Sequence, residues 1–183
     1  MIAKFDTYYI EAIQEKDAWN LCNFMVANED RFKRYLPKTI AHTSTPDLSK
    51  QFCEKKVKQF KREEEFLFTL KENQTNTFAG LVYLKALDWI KKQGEFAYCI
   101  GYPFEGKGIT TNAIKILSKY AFENIGLETL QIIVHSTNVS STKIAQNCNF
   151  SWVKTLKKEF TPIGEEPLDM ELYELYPQIN PLK

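Results

Sequence analysis

Along this 183-residue chain the apolar positions change period several times, and each change marks an element. Tyr8 to Ile13 reads as a first strand. Asp17 then stands where a helix cap belongs, before a helix to about Asn28 whose Ala18, Leu21, Cys22, Met25 and Val26 form one apolar stripe. A short helical piece over Arg31 to Leu36 is expected to stop at Pro37, because a residue before proline avoids helical backbone. Thr45-Pro46 predicts the entrance of a helix to about Arg62. Phe66 to Leu70, the polar turn Asn73 to Asn76, and Phe78 to Leu84 read as a hairpin with apolar arms, followed by a strand at Glu95 to Ile100.

The period then rises from two to about 3.6. Ile109, Ala113, Ile116, Leu117, Tyr120 and Ala121 share a helix face, with Lys115 and Lys119 turned away. A strand at Thr129 to Val134, a helix at about Val139 to Cys148, and strands at Phe150 to Phe160 and Met170 to Leu175 complete the order β-α-α-β-β-β-α-β-α-β-β. That order describes an α+β protein with a mixed sheet and helices on its faces, not a doubly wound one.

Composition adjusts this picture only slightly. With 44% hydrophobic residues and no repeat or linker, residues 1–183 are expected to form one domain. A formal net charge of +1 removes the case for a globally basic nucleic-acid binder, and no apolar run is long enough for a membrane helix or a signal peptide. A cytoplasmic protein with no membrane or nucleic-acid partner is the expectation. Cys22, Cys53, Cys99 and Cys148 lack metal-ligand spacing and read as reduced, mostly buried thiols, so no metal is expected. With only His42 and His135 available, no nucleophilic triad assembles; His135 reads as a hydrogen-bonded structural residue and His42 as a surface one.

The glycines between the strand at Glu95 to Ile100 and the following helix carry the candidate chemistry. Gly101 to Lys107 nearly spells a Walker A loop, but Gly108 stands where a Ser or Thr must hold magnesium. A Rossmann fingerprint fails too, since Ile109, Thr110 and Thr111 follow with no third glycine. What remains is a strand, a glycine turn and a helix N-terminus, which aim backbone N–H groups and a helix dipole at one point. Glycine at 106 and 108 permits positive φ and close approach of an anion, and a tight strand-to-helix turn needs glycine equally.

In Glu105, Gly106-Lys107, Gly108, Ile109 and Thr110 the chain resembles the pyrophosphate motif of the GNAT acetyltransferases, Gln or Arg, any two residues, Gly, any residue, then Gly or Ala. It departs at Glu105 and Thr110, and a carboxylate beside a pyrophosphate must point away. Glu95 to Ile100, Tyr120 to Glu123, Asn138-Val139-Ser140-Ser141 and Cys148-Asn149-Phe150 are similar to stretches of the family's ribosomal-protein N-acetyltransferase branch, and the likeness covers nearly the whole chain. Asn149 suits the left-handed stop where the branch has glycine.

The resemblance implies a GNAT fold, a mostly antiparallel twisted sheet of about seven strands, with acetyl-CoA as co-substrate. It implies cofactor contacts from Cys99, Ile100 and Gly101 through backbone groups, from Glu105, Gly106, Lys107, Gly108, Ile109, Thr110 and Thr111, and from Asn138 and Ser141. Acetyl transfer needs a neutral amine, carbonyl polarisation and a proton for the thiolate. Ser141 is the implied proton donor, although serine is also a common helix cap. Glu95 is the implied base through water, aided by a raised pKa if partly buried, and Tyr98 completes the catalytic set. By alternation Glu95 and Tyr98 face opposite sides unless the strand is bulged, as the family strand commonly is.

An acceptor groove is expected where Trp19, Arg31, Arg34 and Tyr35 meet Glu165, Glu166 and Asp169, favouring a cationic amine. A protein N-terminus leads, with a polyamine or an aminoglycoside as alternatives. Two other classes stay open: a coenzyme A-binding module without turnover, and a phosphate-binding α/β protein unrelated to acetyl transfer. Exposed aromatic surface would support a homodimer, and no specific interface signal stands in the sequence.

Overall fold

The structure, a computed structural model, describes residues 1–178. Its centre is an eight-stranded sheet in the order β1-β2-β3-β4-β5-β6-β8-β7. The strands are β1 (Ala3–Phe5), β2 (Tyr8–Ala12), β3 (Phe66–Glu72), β4 (Phe78–Asp88), β5 (Gln93–Ile100), β6 (Thr129–Val134), β7 (Ser151–Phe160) and β8 (Leu168–Leu175). Neighbours are antiparallel except β5 and β6. The sequence pattern misses β1, which is too short to show alternation and exists by pairing with β2. β3 and β4 read as apolar runs because both faces of the sheet are covered there.

One face carries α5 (Ile109–Tyr120) and α6 (Val139–Asn147), packed through Ile109, Ala113, Ile114, Leu117 and Ala145 onto Phe68, Val82, Phe96 and Ile132. The other carries α1 (Ala18–Ala27) and α4 (Pro46–Lys61), where Leu21, Met25, Phe52 and Cys53 meet Leu67, Leu81 and Cys99. Thr45 caps α4 as expected, accepting a hydrogen bond from the Leu48 N–H at 3.3 Å. Asn149 takes the left-handed stop after α6, with φ of +63°.

Three local expectations change. Val26 is 51% exposed, and Phe24 takes its place in the buried stripe. The second helical piece divides into α2 (Glu29–Phe32) and α3 (Pro37–Ala41), so Pro37 opens a helix instead of ending one; its missing N–H is harmless at a first helical position. Asp17 does not cap α1. It is buried, and its carboxylate accepts from the Lys71 ammonium at 2.7 Å and from the Gln14 N–H at 3.0 Å.

Lys71 also reaches Glu11 at 2.6 Å, so one buried ammonium serves two carboxylates from β2 and the turn before α1. Burial alone would pull the Lys71 ammonium down, but hydrogen bonds and charge from Asp17 and Glu11 hold it above its ordinary value.

Candidate active site

β5 and β6 pair only from Gln93 with Thr129 to Phe96 with Ile132 and then part. The sheet therefore opens between Ala97 to Ile100 and Ile133 to His135, and a cleft of about 490 Å³ fills the gap. Against β4 the register of β5 is regular from Glu95 to Ile100, with the irregularity falling at Lys85 and Asp88 instead. Phe96, Tyr98 and Ile100 accordingly pack on the α5 side and Ala97 and Cys99 on the α1 side. Glu95 and Tyr98 lie on opposite faces of an unbulged strand, yet both line the cleft, because a parted sheet no longer separates its two sides.

The Gly101 N–H donates to the Ala79 carbonyl at 2.8 Å. Antiparallel alternation from that bond turns the backbone of Cys99 toward β4 and that of Tyr98 and Ile100 toward the opening. The Ile100 carbonyl agrees with this, accepting from Arg31 Nη1 at 3.2 Å. Within Cys99 to Gly101, the Ile100 N–H is thus the one directed at the opening, joined by that of Tyr98.

The loop after β5 turns through Tyr102–Phe104 and reaches α5 with Gly106 and Gly108 at φ of +70° and +72°. A side chain in that region costs roughly 1–2 kcal/mol, which accounts for both glycines. A Cβ on either would meet nothing within 4 Å, so the glycines are set by backbone angle and face open space. Among the described residues, no protein acceptor receives the N–H groups of Gly106, Lys107, Gly108, Ile109, Thr110 or Thr111; the Asn112 N–H is the first to be paired, with Gly108 O at 3.0 Å. A run of free N–H groups ending in a helix N-terminus fits the phosphates of a coenzyme A. Lys107 leans over the Phe104 ring at 5.7 Å, and the Glu105 carboxylate is paired with Arg31.

Asn138 caps α6, its Oδ1 accepting from the Ser141 N–H at 3.1 Å. Ser141 is therefore not the cap, and its half-buried side chain lies on the cleft wall within reach of the Tyr98 phenol. Tyr98 crosses the opening and donates to the Ser141 carbonyl at 3.3 Å, tying β5 to α6. Burial pushes the Tyr98 phenol up, so it remains protonated. Glu95, the implied base, is paired with Lys85 at 2.6 Å. His135 shares a hydrogen bond with Thr137 at 2.7 Å, as a structural histidine would.

The expected acceptor groove is rearranged. Arg31, Tyr35 and Leu36 line the cleft, opposite Glu159, Phe160 and Met170. Tyr35 stacks on Phe160 with centroids 5.9 Å apart. Arg34 pairs with Glu165 outside the cleft, and Trp19, Glu166 and Asp169 do not line it either. Asp169 is exposed, with Lys157 at 2.7 Å and the Lys158 N–H at 2.9 Å. These bonds pin an irregularity in β7 between Leu156 and Phe160, where Lys158 has φ of +52°. That bulge is why sequence alternation gives no hint of Glu159 as a cleft residue.

Residues 8–151 match the family model for the acetyltransferase (GNAT) domain. The Bacillus subtilis protein YdaF, which carries the provisional name ribosomal N-acetyltransferase, is 27% identical over 77% of this chain and 76% of its own. The spermidine N(1)-acetyltransferase of Escherichia coli K12 is 33% identical over 48% and 47%. In fold, the ribosomal-protein-S5-alanine acetyltransferase of Vibrio fischeri superposes with a TM-score of 0.89 at 20% identity, covering 97% of both chains. RimL, a ribosomal L7/L12 α-N-protein acetyltransferase solved with coenzyme A, gives 0.87 at 17% identity, covering 96% of this chain and 97% of its own. With an opened β5–β6 edge, an unpaired loop of N–H groups and a family match across most of its length, this chain belongs to the GNAT acetyltransferases.

Proposed function

We propose that this GNAT enzyme, which transfers the acetyl group of acetyl-CoA to a primary amine, takes a protein N-terminal α-amine as its acceptor. The observation that carries the proposal is the charge balance of the cleft. Of its acidic residues, Glu95 holds Lys85 and Glu105 holds Arg31, while Glu159 has no cationic partner among the described residues. One free carboxylate suits one ammonium group; a polyamine would need several. The longer of the two alignments, with a protein named for ribosomal N-acetylation, supports the same choice.

When bound, acetyl-CoA supplies the activated acetyl thioester. The N–H groups from Gly106 to Thr111 hold its phosphates beside Glu105, and those of Tyr98 and Ile100 hold the arm and polarise the acetyl oxygen, with the backbone of Cys99 and Gly101 keeping β5 straight. Asn138, which caps α6 through its Oδ1, offers its Nδ2 donors to the arm. Ser141 would give its hydroxyl proton to the departing sulfur and regain one from solvent in the open cleft, and Tyr98 fixes Ser141 in place. Glu159 removes the proton of the attacking amine, with Glu95 as the second assignment for that role.

Two experiments test these assignments. With acetyl-CoA saturating, kcat/KM for peptides carrying N-terminal sequences of ribosomal proteins is expected to exceed that for spermidine by at least ~10-fold; a preference for spermidine overturns the acceptor. Glu159→Gln is expected to lower kcat by about 100-fold, while Glu95→Gln changes it by less than ~10-fold. The converse result moves the base to Glu95.

A further inference from the structure

Glu105 places a carboxylate at the edge of a loop built to receive an anion, and the contact that answers it comes from a residue 74 positions earlier. Arg31 donates to Glu105, to the Ile100 carbonyl at 3.2 Å and to Asn28 Oδ1 at 3.2 Å. Asn28 is itself buried and fixed. Its Nδ2 donates to the Phe24 carbonyl at 2.8 Å, and its Oδ1 also accepts from the Tyr102 N–H at 3.2 Å. The end of α1, the guanidinium and the chain entering the phosphate loop are thereby tied at one amide. Arg31, Glu105 and Thr110 line the same cleft, and the guanidinium touches both the opened strand at the Ile100 carbonyl and the first residue of the glycine loop at Glu105. A guanidinium has more donors than one carboxylate uses, and its fork matches phosphate oxygens as well as carboxylate oxygens.

We infer that Arg31 is a phosphate ligand of the coenzyme A site, held ready by Asn28 and exchanging the Glu105 carboxylate for a pyrophosphate oxygen when the cofactor enters. This inference rests on the reading of Gly106 to Thr111 as the phosphate cradle. It gives the guanidinium a ligand role that neutralisation alone does not. If Arg31 stayed on Glu105 and only cancelled its charge, removing both side chains together would be harmless to binding. A phosphate ligand is missed whether or not Glu105 is present.

Calorimetric titration of coenzyme A into the wild type, Glu105→Gln, Arg31→Gln and the double variant separates the two. Glu105→Gln is expected to bind at least as tightly as wild type. The double variant is expected to bind at least ~10-fold more weakly than Glu105→Gln, the scale of a lost charge-assisted hydrogen bond. 3′-Dephospho-coenzyme A, which keeps the pyrophosphate, is expected to show the same loss. A double variant that binds like Glu105→Gln overturns the assignment of Arg31. A wild-type protein that binds no coenzyme A overturns the cradle reading itself. Arg31 has a side chain 34% exposed, so its variants are expected to fold, which thermal melts of each variant check. Arg31→Lys, which keeps charge without the fork, is expected to fall between wild type and Arg31→Gln.

Discussion

Replacing Lys71 with methionine is expected to cost about 3–5 kcal/mol of folding stability, because two buried carboxylates then face each other without a counter-ion. Glu11 lies in β2 and Asp17 in the turn that leads from β2 into α1, so the loss falls on the seam between β2, β3 and the first helix. Urea denaturation with an unchanged m-value reads the effect directly, and a difference under ~1 kcal/mol would show that the cluster contributes nothing in place. The pH sign follows from the raised Lys71 value. Its contribution is complete below the ordinary lysine range and fades as pH climbs through the higher folded value, so the wild type weakens on the strongly alkaline side and Lys71→Met lacks that component.

Ser141→Ala is expected to lower kcat by about 100-fold or more, the range of a lost general acid, while folding stability moves by less than ~0.5 kcal/mol. The separation is available because Asn138, not Ser141, caps α6. Asn138→Ala shows the complementary signature, costing ~1 kcal/mol in stability through the lost cap. An unchanged kcat in Ser141→Ala would remove its hydroxyl from the mechanism.

The elements legible in the sequence are those governed by near neighbours. Thr45 with Pro46, Asn149 after α6 and the paired glycines at 106 and 108 each settle a backbone angle or a cap within a few residues, and the structure has them as read. Pro37 misleads because proline both ends helices and begins them, and only the tertiary path of the chain chooses between the two. Asp17 misleads for a related reason: its cap-like position is local, but its partner Lys71 lies 54 residues away. Arg31 and Glu105 meet across the fold in the same way, and a motif read along the chain records only the departure at Glu105. Glu159 is hidden by the bulge that Asp169 pins, since a shift of pairing in β7 erases the period that would betray a cleft residue. The charge balance of the cleft depends on pairs of residues distant in sequence, which no local motif records.

The four cysteines, all buried and free, bear on how turnover is counted. Burial pushes the thiols of Cys53 and Cys99 up to about 12 and that of Cys148 up to about 11, which leaves little thiolate at neutral pH. A chromogenic disulfide reagent added to a working mixture therefore finds the enzyme's own sulfur slow to react, while each transferred acetyl group releases one accessible coenzyme A thiol. The folded protein contributes a low, steady background, and a sudden rise in that background signals unfolding rather than catalysis.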